Sequence, residues 1–356
     1  MDFQIPYDRT GEPPVFRSRF GGLWTDRRDA HQILTERHQS GRYSDLEAEH
    51  LAHYIDHGYV ILPGATDPAL IDEYLEFFER SFHDPPARVT ALCQGPRLPL
   101  GPELYDRIAK VDCLHLFFSR AGELIFPPAV LEFLTDLYER PPVAFQTMSM
   151  RKGSEEPLHI DTGPLTLTEP MALAASWVAL EDVVPLSGEF EFVPGSHLLP
   201  ETLHYGVAKG HDDDMVEHHR VLTRTLELAD ERGLKTERFM AKKGDVLIWH
   251  ADLLHGGAEI QDPTRTRKSF IVHFMPLGVM PNFYDFSRVR AYPYPHGGYC
   301  LDNLQRARPK IWPGRPAVKS TSRPGAGRRM KDRVPRPVRS AIRQAAARLR
   351  HPVRTA

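Results

Sequence analysis

The stretch RTRKSFIVHF, residues 265–274, predicts a β-strand because its polar and apolar residues alternate. Successive side chains of a strand point to opposite faces of the sheet. One face would carry most of the polar groups: Arg267, Ser269, Ile271 and His273. The other face would be mainly hydrophobic: Lys268, Phe270, Val272 and Phe274. This pattern indicates a strand with one face in a hydrophobic core and the other turned toward a polar site.

Further β-prone segments flank this strand, and most have Gly or Pro near their ends. They are VAFQTMSM (143–150), MALAASWVAL (171–180), EFEFVPG (189–195) and DVLIWH (245–250). These segments do not alternate with helices, so a parallel doubly wound sheet is not expected. The pattern favours a mainly β fold with flanking helices, either an antiparallel sandwich or a barrel-like jelly roll.

Two helices and a short strand precede the β-rich part of the chain. Ser44 and Asp67 are typical helix N-caps, and Pro68 suits a first helical turn because its missing N–H is not needed there. Between the two helices, YVILPGA (59–65) predicts a strand.

The composition is that of a globular protein with a large core, since 41% of the 356 residues are hydrophobic. The three cysteines, Cys93, Cys113 and Cys300, lack paired spacing, which fits a reducing compartment. The N-terminal MDFQIPYDRT has no apolar run, and no stretch approaches the ~20 apolar residues of a membrane span. We therefore expect a cytoplasmic protein.

Charge is distributed unevenly along the chain. Residues 306–356 contain sixteen Lys and Arg but a single acid, Asp332, so this segment has a net charge of +15. Since the whole chain has a net charge of −2, the first 305 residues have a net charge of −17. We expect an N-terminal extension (1–43) packed on the body, a main domain (44–311) and a basic, flexible tail (312–356). An insertion of about 200–243 interrupts the main domain.

The basic tail has two interpretations. It is either a solvated segment or an attachment to an anionic membrane surface or acidic partner, which would place the protein at a membrane periphery. Nucleic-acid binding is not expected, because stacking aromatics are absent among the arginines.

Candidate metal ligands stand in two segments. In EEPLHIDTGP (155–164), His159 and Asp161 are two positions apart and can share one strand face. GDVLIWHADLLHGG (244–257) adds His250 and His255. Two histidines and one carboxylate form the facial triad of non-haem Fe(II) sites, which leaves positions open for a co-substrate and O₂. His250, at a strand end, is better explained as a core imidazole.

Arg267 provides a candidate anchor for that co-substrate. A guanidinium binds a carboxylate in bidentate fashion, and Ser269 could donate a further hydrogen bond. A dicarboxylate that chelates iron at one end needs such an anchor at its other end. This description fits 2-oxoglutarate.

The order of these motifs, PLHID, SWVAL, GEFEFVPGSH, GDVLIWHADLLHGG and RKSFIVHF, resembles the phytanoyl-CoA dioxygenase family of Fe(II)/2-oxoglutarate oxygenases over about residues 50–285. The resemblance implies a double-stranded β-helix, the cupin-like jelly roll. It implies His159, Asp161 and His255 as metal ligands and Arg267 as the site for the distal carboxylate, with Arg265 as an alternative. It also implies a pocket wall that includes Trp177 and Met148.

The same resemblance implies a 2-oxoglutarate-dependent dioxygenase that hydroxylates a C–H bond and releases succinate and CO₂. Halogenating members of the wider superfamily have a small residue in place of Asp161, so the carboxylate favours hydroxylation. The substrate, a small or lipid-like molecule, cannot be deduced from the residues. Two alternatives remain open: a non-catalytic β-sandwich binding protein, and a cupin-type enzyme with zinc or manganese.

Two further histidines have structural interpretations. His197, in the PGSH motif, is expected to stabilise a turn near the mouth of the pocket. His273 shares a strand face with Arg267, so it either lines the pocket or is a core histidine.

Overall fold

The computed structural model describes residues 15–93, 95–210, 214–282, 291–295 and 297–301, and the single position 347. The helices are α1 (Ala30–Gln39), α2 (Asp45–His57), α3 (Pro68–Ser81), α4 (Ala121–Ile125), α5 (Pro128–Tyr138) and α6 (Met215–Glu231). Short 3-10 turns lie at Trp24–Asp26, Pro102–Leu104, Leu114–Phe117 and Ser196–Leu198.

The strands are β1 (Tyr59–Leu62), β2 (Thr90–Leu92), β3 (Arg97–Pro99), β4 (Lys110–Asp112), β5 (Pro142–Met150), β6 (Ala174–Ala179) and β7 (Phe190–Phe192). The chain continues with β8 (Glu237–Phe239), β9 (Val246–His250), β10 (His255–Gly257), β11 (Ser269–Pro276), β12 (Ala291–Pro293) and β13 (Tyr299–Leu301). Each of the six segments predicted to form strands contains one: β1, β5, β6, β7, β9 and β11.

The described strands form a large and a small sheet. The large sheet has the order β1-β9-β6-β11-β5-β4-β2-β3, and all of these neighbours are antiparallel. β13 joins β5 in parallel and pairs with β12. The small sheet has the order β10-β7-β8, and a bridge between His159 and His255 extends it. Two facing antiparallel sheets of this kind form a jelly roll, which confirms the predicted fold class.

Strand β11 is two-faced, as its alternation predicts. Phe270, Val272 and Phe274 are fully buried in the core between the large sheet and the helices. Ile271, on the opposite face, packs in the layer between the two sheets. The strand thus separates a hydrophobic helix-side core from the interior of the jelly roll.

Aromatic side chains fill much of the space between the sheets. This inter-sheet cluster includes Trp177, Phe190, Phe239 and Trp249. The rings of Phe190 and Trp249 lie 5.3 Å apart. The cluster packs against Ile271 of β11.

The predicted helix caps are present. The Ser44 hydroxyl accepts the Glu47 N–H, and the Glu47 carboxylate accepts the Ser44 N–H, which completes a capping box. Gly58 ends α2 at a φ of +78°, a left-handed conformation that favours glycine. Asp67 caps α3, with Pro68 in its first turn.

The described part of the N-terminal extension, residues 15–43, contacts the main domain. The Trp24 indole N–H donates to the Asp136 carbonyl at 2.9 Å. The Asp26 carboxylate bonds to His250 Nε2 at 2.8 Å, and both side chains are buried. Residues 1–14 lie outside the described part of the chain.

The stretch 200–243 contains a helix and a strand. Leu222, Leu226 and Ala229 of α6 pack with Leu158 and Leu254 on the outer face of the small sheet. β8 is itself a strand of that sheet. Helix α6 therefore supports the small sheet from its outer side.

The basic tail, residues 312–356, lies outside the described residues apart from position 347, and so does its proposed contact with a membrane or acidic partner. Among the helices of the described residues, none combines the length and hydrophobicity needed to cross a lipid bilayer.

Candidate metal centre

The structure brings His159, Asp161 and His255 together. Their three candidate ligand atoms all lie within 4.8 Å of one another. Reciprocal backbone hydrogen bonds between His159 and His255, of 2.8 and 3.0 Å, fix the spacing of the two histidines. Leu158 and Ile160 alternate with these ligands and pack outward against α6. The predicted triad therefore exists as a cluster on the inner face of the small sheet.

Both histidines are oriented for metal binding. Nδ1 of His159 donates to the Pro157 carbonyl at 2.9 Å, and Nδ1 of His255 donates to the Leu253 carbonyl at 3.0 Å. A carbonyl only accepts, so the ring proton is on Nδ1 and the Nε2 lone pair faces the cluster. Burial lowers the pKa of His255 to about 4, which keeps its ring neutral near pH 7.

The Asp161 carboxylate is oriented by a hydrogen bond to one of its oxygens, Oδ2. Oδ2 accepts the Trp249 indole N–H at 2.9 Å and lies 3.7 Å from His273 Nε2. Oδ1 faces the two candidate ligand histidines, 3.7 Å from His255 Nε2 and 4.0 Å from His159 Nε2. Burial alone would raise the pKa of Asp161, but the surrounding histidines lower it below its ordinary value. The residue is a carboxylate with one oxygen directed at the candidate metal position.

A cavity of about 170 Å³ opens next to the triad. Its lining includes the triad, two inter-sheet aromatics, and residues of β11 and the segment before it: His159, Asp161, His255, Phe190, Trp249, Arg267, Ile271 and His273. Leu92, Arg97, Lys110, Asp112, Ser154, Glu156, Pro164 and Leu165 also line it.

Arg267 is a buried guanidinium that forms no hydrogen bond or ion pair with a carboxylate of the described residues. It is 1% exposed, and Nε and Nη1 make no hydrogen bond. Nη2 lies 3.9 Å from the Met150 sulfur, and the guanidinium lies 5.4 Å from the centre of the Trp177 ring. Burial lowers the pKa of Arg267 to about 10 and the Glu189 carboxylate partly opposes this shift, so Arg267 remains charged near pH 7. An unpaired buried charge of this kind is costly unless a ligand supplies the counter-charge.

Other buried polar atoms on neighbouring strands also lack partners. They are Ser269 Oγ, Gln146 Oε1, Trp177 Nε1 and His273 Nδ1. His273 and Gln146 are register partners between β11 and β5. Buried polar groups are normally hydrogen-bonded, so this concentration indicates a site built for a polar ligand. The donor set and the free guanidinium fit a metal with a bound dicarboxylate.

The other residues singled out from sequence have definite places. Met148 lines the cavity, Trp177 lies under Arg267, and Ser269 is buried on the same strand face. Arg265 is instead partly exposed and bonded to Asp262 and the Pro185 carbonyl. His197 bonds to the Ile55 carbonyl, next to the turn at Gly58.

Several cavity residues were not predicted from the sequence. Trp249 donates the hydrogen bond that orients Asp161. Because residues two apart in a strand share a face, Leu247 and Trp249 of β9 both point into the space between the sheets, and the sequence could have shown this. Four charged residues that line the cavity had no local signal: Arg97, Lys110, Asp112 and Glu156. The strands that carry the first three are only three residues long, too short for a readable period.

Fold and site together define a non-haem iron, 2-oxoglutarate-dependent oxygenase. The chain belongs to the phytanoyl-CoA dioxygenase (PhyH) family, whose model matches residues 54–268. Fe(II) and 2-oxoglutarate are accordingly its cofactor and co-substrate. No sequence among curated proteins matches the chain.

Solved structures share the fold at low sequence identity. The non-haem α-ketoglutarate-dependent carbocyclase SnoK from nogalamycin biosynthesis is 19% identical, with a TM-score of 0.51 over 68% of this chain and 87% of its own. The epimerase SnoN, in complex with Fe³⁺, α-ketoglutarate and nogalamycin RO, is 20% identical, with a TM-score of 0.51 over 72% of this chain and 98% of its own.

Proposed function

We propose that the protein hydroxylates a C–H bond of a small molecule, with 2-oxoglutarate as co-substrate. The observation that carries this proposal is the pairing of a two-histidine, one-carboxylate cluster with an unpaired buried Arg267 in one cavity. Zinc or manganese cupins do not require a buried guanidinium for a distal carboxylate. A non-catalytic binding protein would not need both the two-histidine, one-carboxylate cluster and the buried Arg267.

Each residue has a defined task in this proposal. His159, Asp161 and His255 would hold the metal on one side and leave its other positions open. Arg267 would bind the far carboxylate of 2-oxoglutarate, with Ser269 as a second donor. Trp249 and His273 keep the Asp161 Oδ2 atom turned away from the metal position.

Bound iron would supply the oxidising chemistry: 2-oxoglutarate, O₂ and the substrate C–H group give succinate, CO₂ and a C–OH group. One oxygen atom of O₂ enters succinate and the other enters the product. The inter-sheet aromatic cluster excludes water from the inner side of this site.

Two measurements test the proposal. With Fe(II) and air, the protein should convert 2-oxoglutarate to succinate slowly even without substrate, and Asp161→Ala should abolish this conversion. Retained conversion in Asp161→Ala would reject the ligand assignment. The reaction product should then gain the mass of one oxygen atom; an unchanged mass, or the loss of two hydrogens, would indicate epimerisation or cyclisation instead.

A further inference from the structure

Two side chains that line the cavity carry buried polar atoms without a protein partner. His273 of β11 and Gln146 of β5 are register partners in the large sheet, and both line the cavity. His273 is 4% exposed. Neither its Nδ1 atom nor Oε1 of Gln146 has a hydrogen-bond partner among the described residues. Buried polar atoms are normally paired, so these two atoms mark a subsite for a ligand group.

The surroundings of His273 make its free nitrogen a hydrogen-bond acceptor. Nε2 lies 3.7 Å from Asp161 Oδ2, and a carboxylate only accepts, so the ring proton belongs on Nε2. Nδ1 then presents a lone pair. The rings of Phe145 and Trp249 lie 6.0 and 6.3 Å from the imidazole and restrict its rotation. His273 therefore offers an acceptor in a fixed position.

The co-substrate does not satisfy this acceptor. Both carboxylates and the keto group of 2-oxoglutarate only accept hydrogen bonds. The unpartnered groups that match them are the donors Arg267 and Ser269. Four strand residues, or ~13 Å, separate Ser269 from His273. Rotation of the Gln146 amide would turn a donor toward a carboxylate but would leave Nδ1 of His273 unpaired. The subsite therefore requires a ligand group that donates.

The charges of the cavity favour a neutral substrate. Two ion pairs within the lining balance four of its charged side chains: Arg97 with Asp112, and Lys110 with Glu156. The other charged side chains among the described lining residues are Asp161 and Arg267, which the proposed function assigns to the metal and the co-substrate. A charged substrate would have to break one of the existing pairs or keep its own charge unpaired, and both are costly in a buried site.

Much of the remaining lining is apolar and suits a hydrocarbon frame. It includes Leu92, Met148, Met150, Pro164, Leu165 and Ile271. A sugar, with hydroxyl groups on most of its carbon atoms, would bury several donors against this surface without partners. The lining thus favours a molecule with few polar groups.

We propose that the substrate is a neutral alcohol with a mainly hydrocarbon frame. Its hydroxyl donates to His273 Nδ1, and its oxygen contacts the Gln146 amide. A hydroxyl both donates and accepts, whereas an amine in its place would be charged near pH 7. This inference rests on the proposed function, because it places the hydroxyl beside Asp161 and therefore the C–H group to be oxidised close to that hydroxyl.

The test uses the full-length protein under anaerobic conditions with Fe(II) and 2-oxoglutarate, which together give a weak visible charge-transfer band. Cyclohexanol, menthol and decanol are added as probes, alongside the ketone or aldehyde, the amine and the carboxylic acid of the same carbon frame. At least one alcohol should shift the band. Its carbonyl analogue accepts but does not donate, so it should bind at least about 10-fold more weakly. The charged analogues should bind more weakly as well.

A variant tests the second contact. Gln146→Met removes the amide and keeps a side chain of similar length, so it should weaken binding of the alcohol about 10-fold and that of 2-oxoglutarate much less. Gln32→Met changes an exposed glutamine that bonds Glu36, and it should respond like the wild type. The comparison of alcohol and carbonyl probes tests His273 in the wild type, because a substitution there would also disturb Asp161.

Three outcomes with the probes would overturn the inference. These are a panel in which no alcohol shifts the band, equal binding of an alcohol and its carbonyl analogue, and a shift produced by a charged probe instead. In Gln146→Met, a loss of 2-oxoglutarate affinity as large as the loss of alcohol affinity would also contradict it, because Gln146 would then bind the co-substrate. Absence of the band in the wild type would refute the proposed function rather than the substrate assignment.

Discussion

The Trp249 indole N–H donates to Asp161 Oδ2 at 2.9 Å, and this bond leaves Oδ1 as the carboxylate oxygen that faces His159 and His255. Trp249 belongs to β9, whereas Asp161 follows β5 in the chain, so the bond joins the large sheet to the segment that carries His159 and Asp161. Groups that orient a metal ligand are part of the metal site, because a free carboxylate can rotate or bind through both oxygens.

Trp249→Phe should therefore weaken Fe(II) binding by about 10- to 100-fold. The ring remains in the inter-sheet cluster, so the free energy of unfolding of the metal-free protein should change much less. Anaerobic Fe(II) titration with 2-oxoglutarate present measures the affinity. Trp24→Phe is the matched control, since it removes an indole bond to the Asp136 carbonyl far along the chain from the ligands. Equal Fe(II) affinities in the two variants would show that the Trp249 bond has no role at the metal.

Arg267→Met should separate co-substrate binding from stability. Loss of a buried charged partner should weaken 2-oxoglutarate binding at least about 30-fold. Without 2-oxoglutarate the variant should be as stable as the wild type or more stable, because an unpaired buried charge is removed. Arg265→Met, which changes the partly exposed neighbour, should leave 2-oxoglutarate affinity intact. The reverse pattern would make Arg265 the anchor.

Lys209 links the insertion to the segment that follows Asp161. Its buried ammonium bonds Asp252 and lies 3.3 Å from Glu201, and the Thr162 hydroxyl donates to Asp252 at 2.6 Å. Lys209→Met leaves Asp252 as a buried carboxylate without its cation, which should cost about 3–5 kcal/mol of unfolding free energy. Lys242→Met, in an exposed ion pair, should cost less than about 1 kcal/mol. Urea unfolding compares them, and similar losses would contradict this account.

The buried pair of Asp26 and His250 makes stability depend on pH. Burial lowers the pKa of His250, but the carboxylates of Asp26 and Asp252 outweigh it and raise the pKa above its ordinary value. Because the folded state holds this proton more tightly, the stabilisation is complete below about pH 6.5 and is lost as pH rises through the raised pKa. Asp26→Asn should therefore destabilise the protein more at about pH 6 than at about pH 9. A difference that grows with pH would contradict this assignment.

The sequence predicted those parts of the fold and site whose signals are local. The alternation in residues 265–274 predicted the two faces of β11, and the spacing of His159 and Asp161 predicted their shared orientation. Ser44 and Gly58 marked the ends of α2. In each case, neighbouring residues determine the outcome through strand or helix geometry.

Other features depend on contacts between distant segments and left no local pattern. Lys110 and Asp112 meet the cavity only because β4 pairs with β5, which begins thirty residues further on. The partner of His250 is Asp26, more than two hundred positions earlier in the chain. The packing of α6 on the outer face of the small sheet likewise follows from the complete fold.

The most direct measurement is an iron-edge anomalous diffraction map of crystals prepared anaerobically with Fe(II) and 2-oxoglutarate. One iron peak is expected within bonding distance of Nε2 of His159, Nε2 of His255 and Oδ1 of Asp161, with the far carboxylate of 2-oxoglutarate on Arg267. Iron at another position, or a 2-oxoglutarate carboxylate bound away from Arg267, would contradict the central claim.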